Sequence, residues 1–205
     1  MTRRRSSYRS LTSLQRDNRV CRACAEAGFP IESLSVVQPY AGQRAYMFGQ
    51  APGAVEGEER RPWRGDAGRR LRRWLGLDEG EFYETFYCAS VTRCYPGKDP
   101  KRGDRKPERQ EQELCAPWRE WELRLIRPEL IVPVGTLAIK QLLDLDGLSC
   151  IGGSFPCHGT VAVPLPHPSG ASAWTNDPGN RKRTEAAVEL IRGALAQIGR
   201  KPLDR

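Results

Sequence analysis

Four short runs with almost no charge constrain this chain more than any other feature: AYMF (45–48), FYCASVT (86–92), ELIVPVG (129–135) and TVAVPL (160–165). A strand that is apolar at nearly every residue is buried on both faces, the condition of a parallel sheet covered by helices. Helical periodicity fills the gaps. Asp66 stands where a helix N-cap would, and in the AGRRLRRWLGL that follows it Leu71, Trp74 and Leu75 form an i, i+3, i+4 face while Arg69, Arg70, Arg72 and Arg73 turn outward. Further helices are expected around Cys115, Trp118 and Trp121, over TLAIKQLLDL, and from about Lys182 to Ile198. The expected fold is therefore α/β, a three-layer α/β/α sandwich around a central four-stranded parallel sheet. Ligands bind such sheets at the carboxyl ends of the strands. Three segments end strands here, GQAPG, SVTRCYPG and LPHPSG, and are expected to converge on one cleft.

A chain of 205 residues suits one domain able to bury a core without disulfides. Residues 1–15 read as a basic, flexible N-terminal arm, and residues 16–200 as a single domain. The opening MTRRRSSYRS has no apolar core after its charges, and no stretch approaches the length of a membrane helix. The expectation is a cytoplasmic protein without a membrane partner. Lys and Arg number 33 against 25 Asp and Glu, a formal charge of +8, which favours a polyanionic partner.

Seven cysteines, an odd number, argue against a disulfide framework. Cys21 and Cys24 form a C-x2-C before the first strand, Cys94 follows the second, and Cys115 lies on the next helix. Four thiolates from three segments suit either a tetrahedral zinc or a [4Fe–4S] cluster. Cys88 reads as core, and His158, in a turn, as surface.

Taken in order, these motifs resemble the uracil-DNA glycosylase superfamily, in particular its iron–sulfur branches, families four and five. Gly49-Gln50-Ala51-Pro52-Gly53 is similar to the family-four G-E-A-P-G, and Pro62-Trp63-Arg64-Gly65-Asp66-Ala67-Gly68 to P-F-V-G-x-A-G. Ala89 to Pro96 stand at T-N-V-V-K-C-R-P-P, and His167-Pro168-Ser169 at H-P-S. The resemblance covers nearly the whole chain from Cys21 onward. It implies a [4Fe–4S] cluster on Cys21, Cys24, Cys94 and Cys115, and a monomer that flips a damaged base out of DNA and hydrolyses its N-glycosidic bond. Gln50, Ala51, Gly53, Trp63 and Ser90 would line the base pocket, with Trp63 as the stacking ring. His167 would steady the charge on the departing base. Ser169, Gly170, Ala171 and Trp174 would enter the minor groove, Trp174 being either the apolar wedge or a core residue. Arg64 and Arg181 are candidate phosphate contacts, with Arg60, Arg61 and Arg69 beside them.

Two positions depart from the family pattern. Gln50 stands where family four has its water-orienting acid, and Ser90 where it has a uracil-reading Asn. The carboxylate has moved to Asp66 or to Glu56, or the base preference has changed, or a DNA-binding or DNA-crosslinking homologue without catalysis remains. A zinc-stapled nucleic-acid module without a base pocket is the more distant alternative.

Overall fold

The computed structural model describes residues 5–99, 103–169 and 173–200. In chain order its strands are β1 (Ala45–Gly49), β2 (Phe86–Ser90), the two-residue β3 (Lys98–Asp99) and β4 (Gly103–Asp104), β5 (Leu130–Pro133), β6 (Phe155–Cys157) and β7 (Thr160–Ala162). The helices are α1 (Leu11–Arg19), α2 (Ala23–Glu26), α3 (Ala54–Glu59), α4 (Asp66–Leu75), α5 (Glu79–Thr85), α6 (Arg109–Ile126), α7 (Thr136–Leu143) and α8 (Pro178–Arg200).

The central sheet has the order β2-β1-β5-β7-β6, and its first four strands run parallel, as the alternation of apolar runs and helices requires. The expected count of four is corrected to five. β6 pairs antiparallel with β7 through a two-residue turn at His158 and Gly159, which have φ of 48° and 78°. Positive φ at both central residues makes the tight turn whose twist suits a hairpin. β6 escapes a search for apolar runs because it is three residues long and carries Pro156, which only an edge strand tolerates.

Alternate strand residues face opposite layers, so both faces are buried. Met47, Cys88, Val132 and Leu165 pack with Leu71 and Leu75 of α4, Phe82 of α5, and Val188 and Ile191 of α8. Tyr46, Phe48, Tyr87 and Ile131 pack with Leu123 and Ile126 of α6 and Leu137 and Ala138 of α7. Each fully buried Leu or Ile here stabilises the fold by about 1.5–3 kcal/mol. The edge strand β2 is covered by one side chain: Gln38 Nε2 donates to Phe86 O at 2.9 Å, and its Oε1 accepts from Cys88 N at 3.0 Å. A glutamine amide thus takes the place of a missing neighbour strand.

A third, smaller core joins the N-terminal segment to α6. Tyr8 is buried against Trp118 and Trp121, and Leu14 of α1 is fully buried in the same cluster. α1 therefore begins inside the stretch read as an arm. Beneath it, Arg93 pairs with Glu122, their side chains 3% and 2% exposed. Tyr46 Oη donates to Glu122 Oε2 at 2.7 Å and Tyr87 Oη to Oε1 at 3.2 Å, so both carboxylate oxygens have partners. Removing one member of such a buried pair strands the other charge. Glu122→Gln is expected to lower the unfolding free energy by about 3–5 kcal/mol, read from the midpoint of chemical denaturation.

Candidate active site at the carboxyl ends of the strands

The three strand-ending segments meet. Beyond β1 and β2 the pairing continues, with Val91 N donating to Gly49 O at 3.0 Å and Thr92 N to Gln50 O at 3.2 Å. On the other side of β1, Val134 N donates to Phe48 O at 2.8 Å, and Gly135 N to Leu165 O at 2.9 Å, which draws in the chain leading to His167. The rings of Trp63 and His167 come together where these segments meet, centroids 6.3 Å apart and tilted by 37°.

Trp63 is held by its backbone. Its φ of 58° is left-handed, rare for a bulky residue. Arg72 Nη1 donates to the Trp63 carbonyl at 2.9 Å, which is why Arg72 is buried and not on the outer face of α4. Gly68 makes the turn possible, since a methyl group there would lie 1.8 Å from the same carbonyl oxygen. The indole then lies on Gly49, where a methyl group would stand 2.9 Å from Trp63 Cζ2. The glycines of the two motifs are thus needed for close approach.

The carboxylates divide. Glu56, in α3, accepts from Gly53 N at 3.1 Å through Oε2 and from Gly65 N at 2.7 Å through Oε1, so it clamps the two motif loops together. Asp66 is the first residue of α4, with Gly65 as the cap, one position from the expected boundary. Its side chain is 91% exposed and pairs with Arg69. A third carboxylate, Asp104, was not singled out from the sequence. Tyr95 Oη donates to its Oδ1 at 3.0 Å, and its Oδ2 would lie 3.3 Å from a methyl group on Gly53.

His167 is fixed in one tautomer. Ser169 N donates to its Nδ1 at 3.3 Å, so Nδ1 is the acceptor and Nε2 carries the proton. Burial lowers its pKa, while the nearby charges of Asp104 and then Glu56 oppose the shift. The ring is neutral at neutral pH and keeps one N–H donor, on Nε2. A donor fixed in place stabilises an oxyanion that develops on a leaving base.

The sequence profile of the uracil DNA glycosylase superfamily matches residues 38–192, which hold the whole sheet and every segment of this cleft. The chain belongs to the uracil-DNA glycosylase superfamily. A type-4 uracil-DNA glycosylase of Pyrobaculum aerophilum is 33% identical over 104 residues, 49% of this chain and 48% of that protein. One from Saccharolobus solfataricus is 27% identical over 160 residues, 73% and 70% of the two chains. A type-5 enzyme of Pyrobaculum aerophilum is 27% identical over 129 residues, 61% and 53%. The chain spans about half the length of several of the curated relatives it matches.

Within this superfamily fold the other expected contacts are placed as follows. Ser90 faces Gly49 in register at the end of β2, and its hydroxyl donates to Thr92 O at 2.7 Å. Ala51 is half-buried beside the buried Pro52. Trp174 begins a short 3-10 turn and packs on the core, with the Arg183 guanidinium 5.9 Å from its ring centre. Arg64 is engaged by Glu59 at 2.5 Å and by Glu79. Arg181 is exposed, its Nε donating to Thr175 O at 3.4 Å. Gly170 and Ala171 lie outside the described residues.

Cys21, Cys24, Cys94 and Cys115 line one cavity of about 250 Å³ with Thr92, Arg93 and Trp118. Among the described residues no three His, Cys, Asp or Glu side chains are grouped to hold a single ion. Burial, then the neighbouring thiolates, push the Cys94 thiol up, and burial pushes Cys115 up to about 11. Thr92 Oγ1 and Arg93 Nε are buried here without a hydrogen-bond partner among the described residues. Four thiols on one cavity larger than a single ion needs, with a spare Arg93 Nε–H and Thr92 hydroxyl able to meet sulfur atoms, fit a polynuclear metal–sulfur group held by thiolates. No helix among the described residues is long and apolar enough to cross a membrane.

Two outcomes follow from this geometry. Gly68→Ala is expected to lose at least ~1–3 kcal/mol of stability, read by denaturant unfolding, because the Trp63 carbonyl must move off Arg72. For His167 the folded pKa lies below the ordinary 6.5, so below pH 6.5 the unfolded chain binds more protons and stability falls with falling pH until the folded pKa is passed. His167→Gln is expected to flatten that part of the stability-against-pH curve.

Proposed function

We propose that the chain excises uracil from DNA by hydrolysing the N-glycosidic bond, as a step of DNA repair. The observation that carries this reading is the neighbouring pair of Trp63 and His167, where the strand-ending segments meet, one ring to stack on a base and one N–H to meet its carbonyl oxygen. A base inside a duplex cannot reach this cleft, so the nucleotide must be flipped out of the stack. The small residues from Ala51 to Gly53 leave room for the base edge beside Ser90, whose hydroxyl donates to Thr92 O and whose carbonyl accepts from Arg93 Nη1. As the bond breaks, the electron pair leaves on the base, and Nε2–H of His167 stabilises the negative oxygen. The names of the relatives support uracil as the base, and the charge of +8 supports DNA as the partner.

The thiols of Cys21, Cys24, Cys94 and Cys115 would hold a [4Fe–4S] cluster. When bound, it would supply iron–thiolate bonds that tie α2 and α6 to the chain leaving β2. That chain carries Ser90 at one end and Tyr95 at the other, so the cluster would brace one wall of the cleft.

The test is a single-turnover assay on labelled oligonucleotides bearing uracil, hypoxanthine or xanthine, scored for abasic sites. Abasic product is expected from uracil, and His167→Ala is expected to slow its formation by about 10²–10³-fold. Purified protein is expected to contain about four irons per chain, bound through thiolates. Iron-loaded protein that leaves uracil intact overturns the reading.

A further inference from the structure

Hydrolysis at this cleft needs a group that holds the attacking water, and the candidate carboxylates differ in what their oxygens are already doing. Glu56 has both oxygens committed to backbone amides, Gly53 N and Gly65 N. Asp66 is taken up by Arg69, three residues further along its own helix. Gln50 is an amide and has no basic oxygen pair to take a proton.

We propose that Asp104 is a catalytic residue of this cleft, the carboxylate that orients the attacking water and takes its proton; the role rests on the excision reading above. Asp104 lies on β4, in the hairpin between Cys94 and Cys115, and is itself exposed. Arg105, the next residue, anchors the hairpin. Arg105 N donates to Gly97 O at 2.8 Å, and the Arg105 guanidinium grips Glu111 of α6 through two bonds of 2.6 and 2.8 Å. Glu111 is only 1% exposed, so the grip is made inside the protein. Tyr95, itself 3% exposed, fixes the carboxylate through Oδ1. Oδ2 is left over the first motif, 3.3 Å from where a methyl group on Gly53 would stand. Of the two carboxylates whose charge acts on His167, Asp104 has the larger effect, ahead of Glu56.

The C1′–N1 bond breaks with its electron pair leaving on uracil, and the water oxygen forms the new bond to C1′. The proton shed by that water passes to Asp104 Oδ2 and then to solvent, while the uracil anion takes a proton from solvent. The products are uracil and a sugar with a 1′-hydroxyl. A positioned base of this kind contributes about 10²–10⁴-fold to a rate.

The experiment compares wild type, Asp104→Asn, Asp104→Glu and Asp104→Ala on uracil-bearing DNA, with DNA affinity and iron content measured on each protein. Asp104→Asn keeps the acceptor for Tyr95 and loses the base. It is expected to slow single-turnover excision at saturating DNA by at least about 100-fold, with affinity and iron unchanged. Asp104→Glu is expected to retain part of the rate, and added formate to restore part of it to Asp104→Ala. Wild-type excision with an undiminished Asp104→Asn rate overturns the role and leaves the excision reading standing. A lost rate that follows lost affinity or lost iron also overturns it, since the hairpin would then act only as structure. A wild type that forms no abasic sites overturns the excision reading and this role with it.

Discussion

The ion pair of Arg93 and Glu122 sits where the layers of this protein meet. Glu122 comes from α6, and Arg93 from the chain leaving β2. Tyr46 and Tyr87 of the two neighbouring strands complete the carboxylate's hydrogen bonds. Arg93 Nη1 also donates to Ser90 O at 2.6 Å, at the end of β2. One buried charge pair thus ties a sheet face to a helix, the helix to the cysteine cavity, and all three to the edge of the cleft. Such a pair costs desolvation and is a poor source of net stability. Separating its two partners would leave a bare charge in the interior.

With that junction in place, the cleft follows from parallel strand geometry. The strands end together, their last backbone groups reach one step further to neighbouring segments, and loops from different parts of the chain are brought side by side. Glu56 then closes the first motif onto the second by accepting from one amide of each. The left-handed Trp63 is a strained residue in the sense that its conformation persists only because Arg72 and the bare face of Gly68 hold its carbonyl. The same strain turns its ring over Gly49 and toward His167.

The long apolar runs and the amphipathic helices were legible because burial on two faces leaves an unbroken pattern in the residues. The edge strand β6 was not, being short and proline-bearing, and α3 was not, being six residues inside a glycine-rich stretch. Arg72 read as a surface charge from its place among four arginines. Its burial depends on a carbonyl nine residues earlier, and periodicity carries no record of such a bond. Asp104 stood in a charged segment that looked like a loop, with nothing local to set it apart from its neighbours. A signal existed in Tyr95 and Arg105, a buried ring and a paired guanidinium either side of it, but their partners become visible only in three dimensions.

By itself the sequence determined the class of fold, the order of the strand-ending motifs and their membership of one family, because these depend on hydrophobic pattern and on residues adjacent in the chain. What each carboxylate is paired with was decided by the tertiary structure. Glu56, Asp66 and Asp104 have the same chemistry along the chain. They differ only in what faces them across space: two backbone amides, a solvent-exposed arginine, and a buried tyrosine beside the cleft.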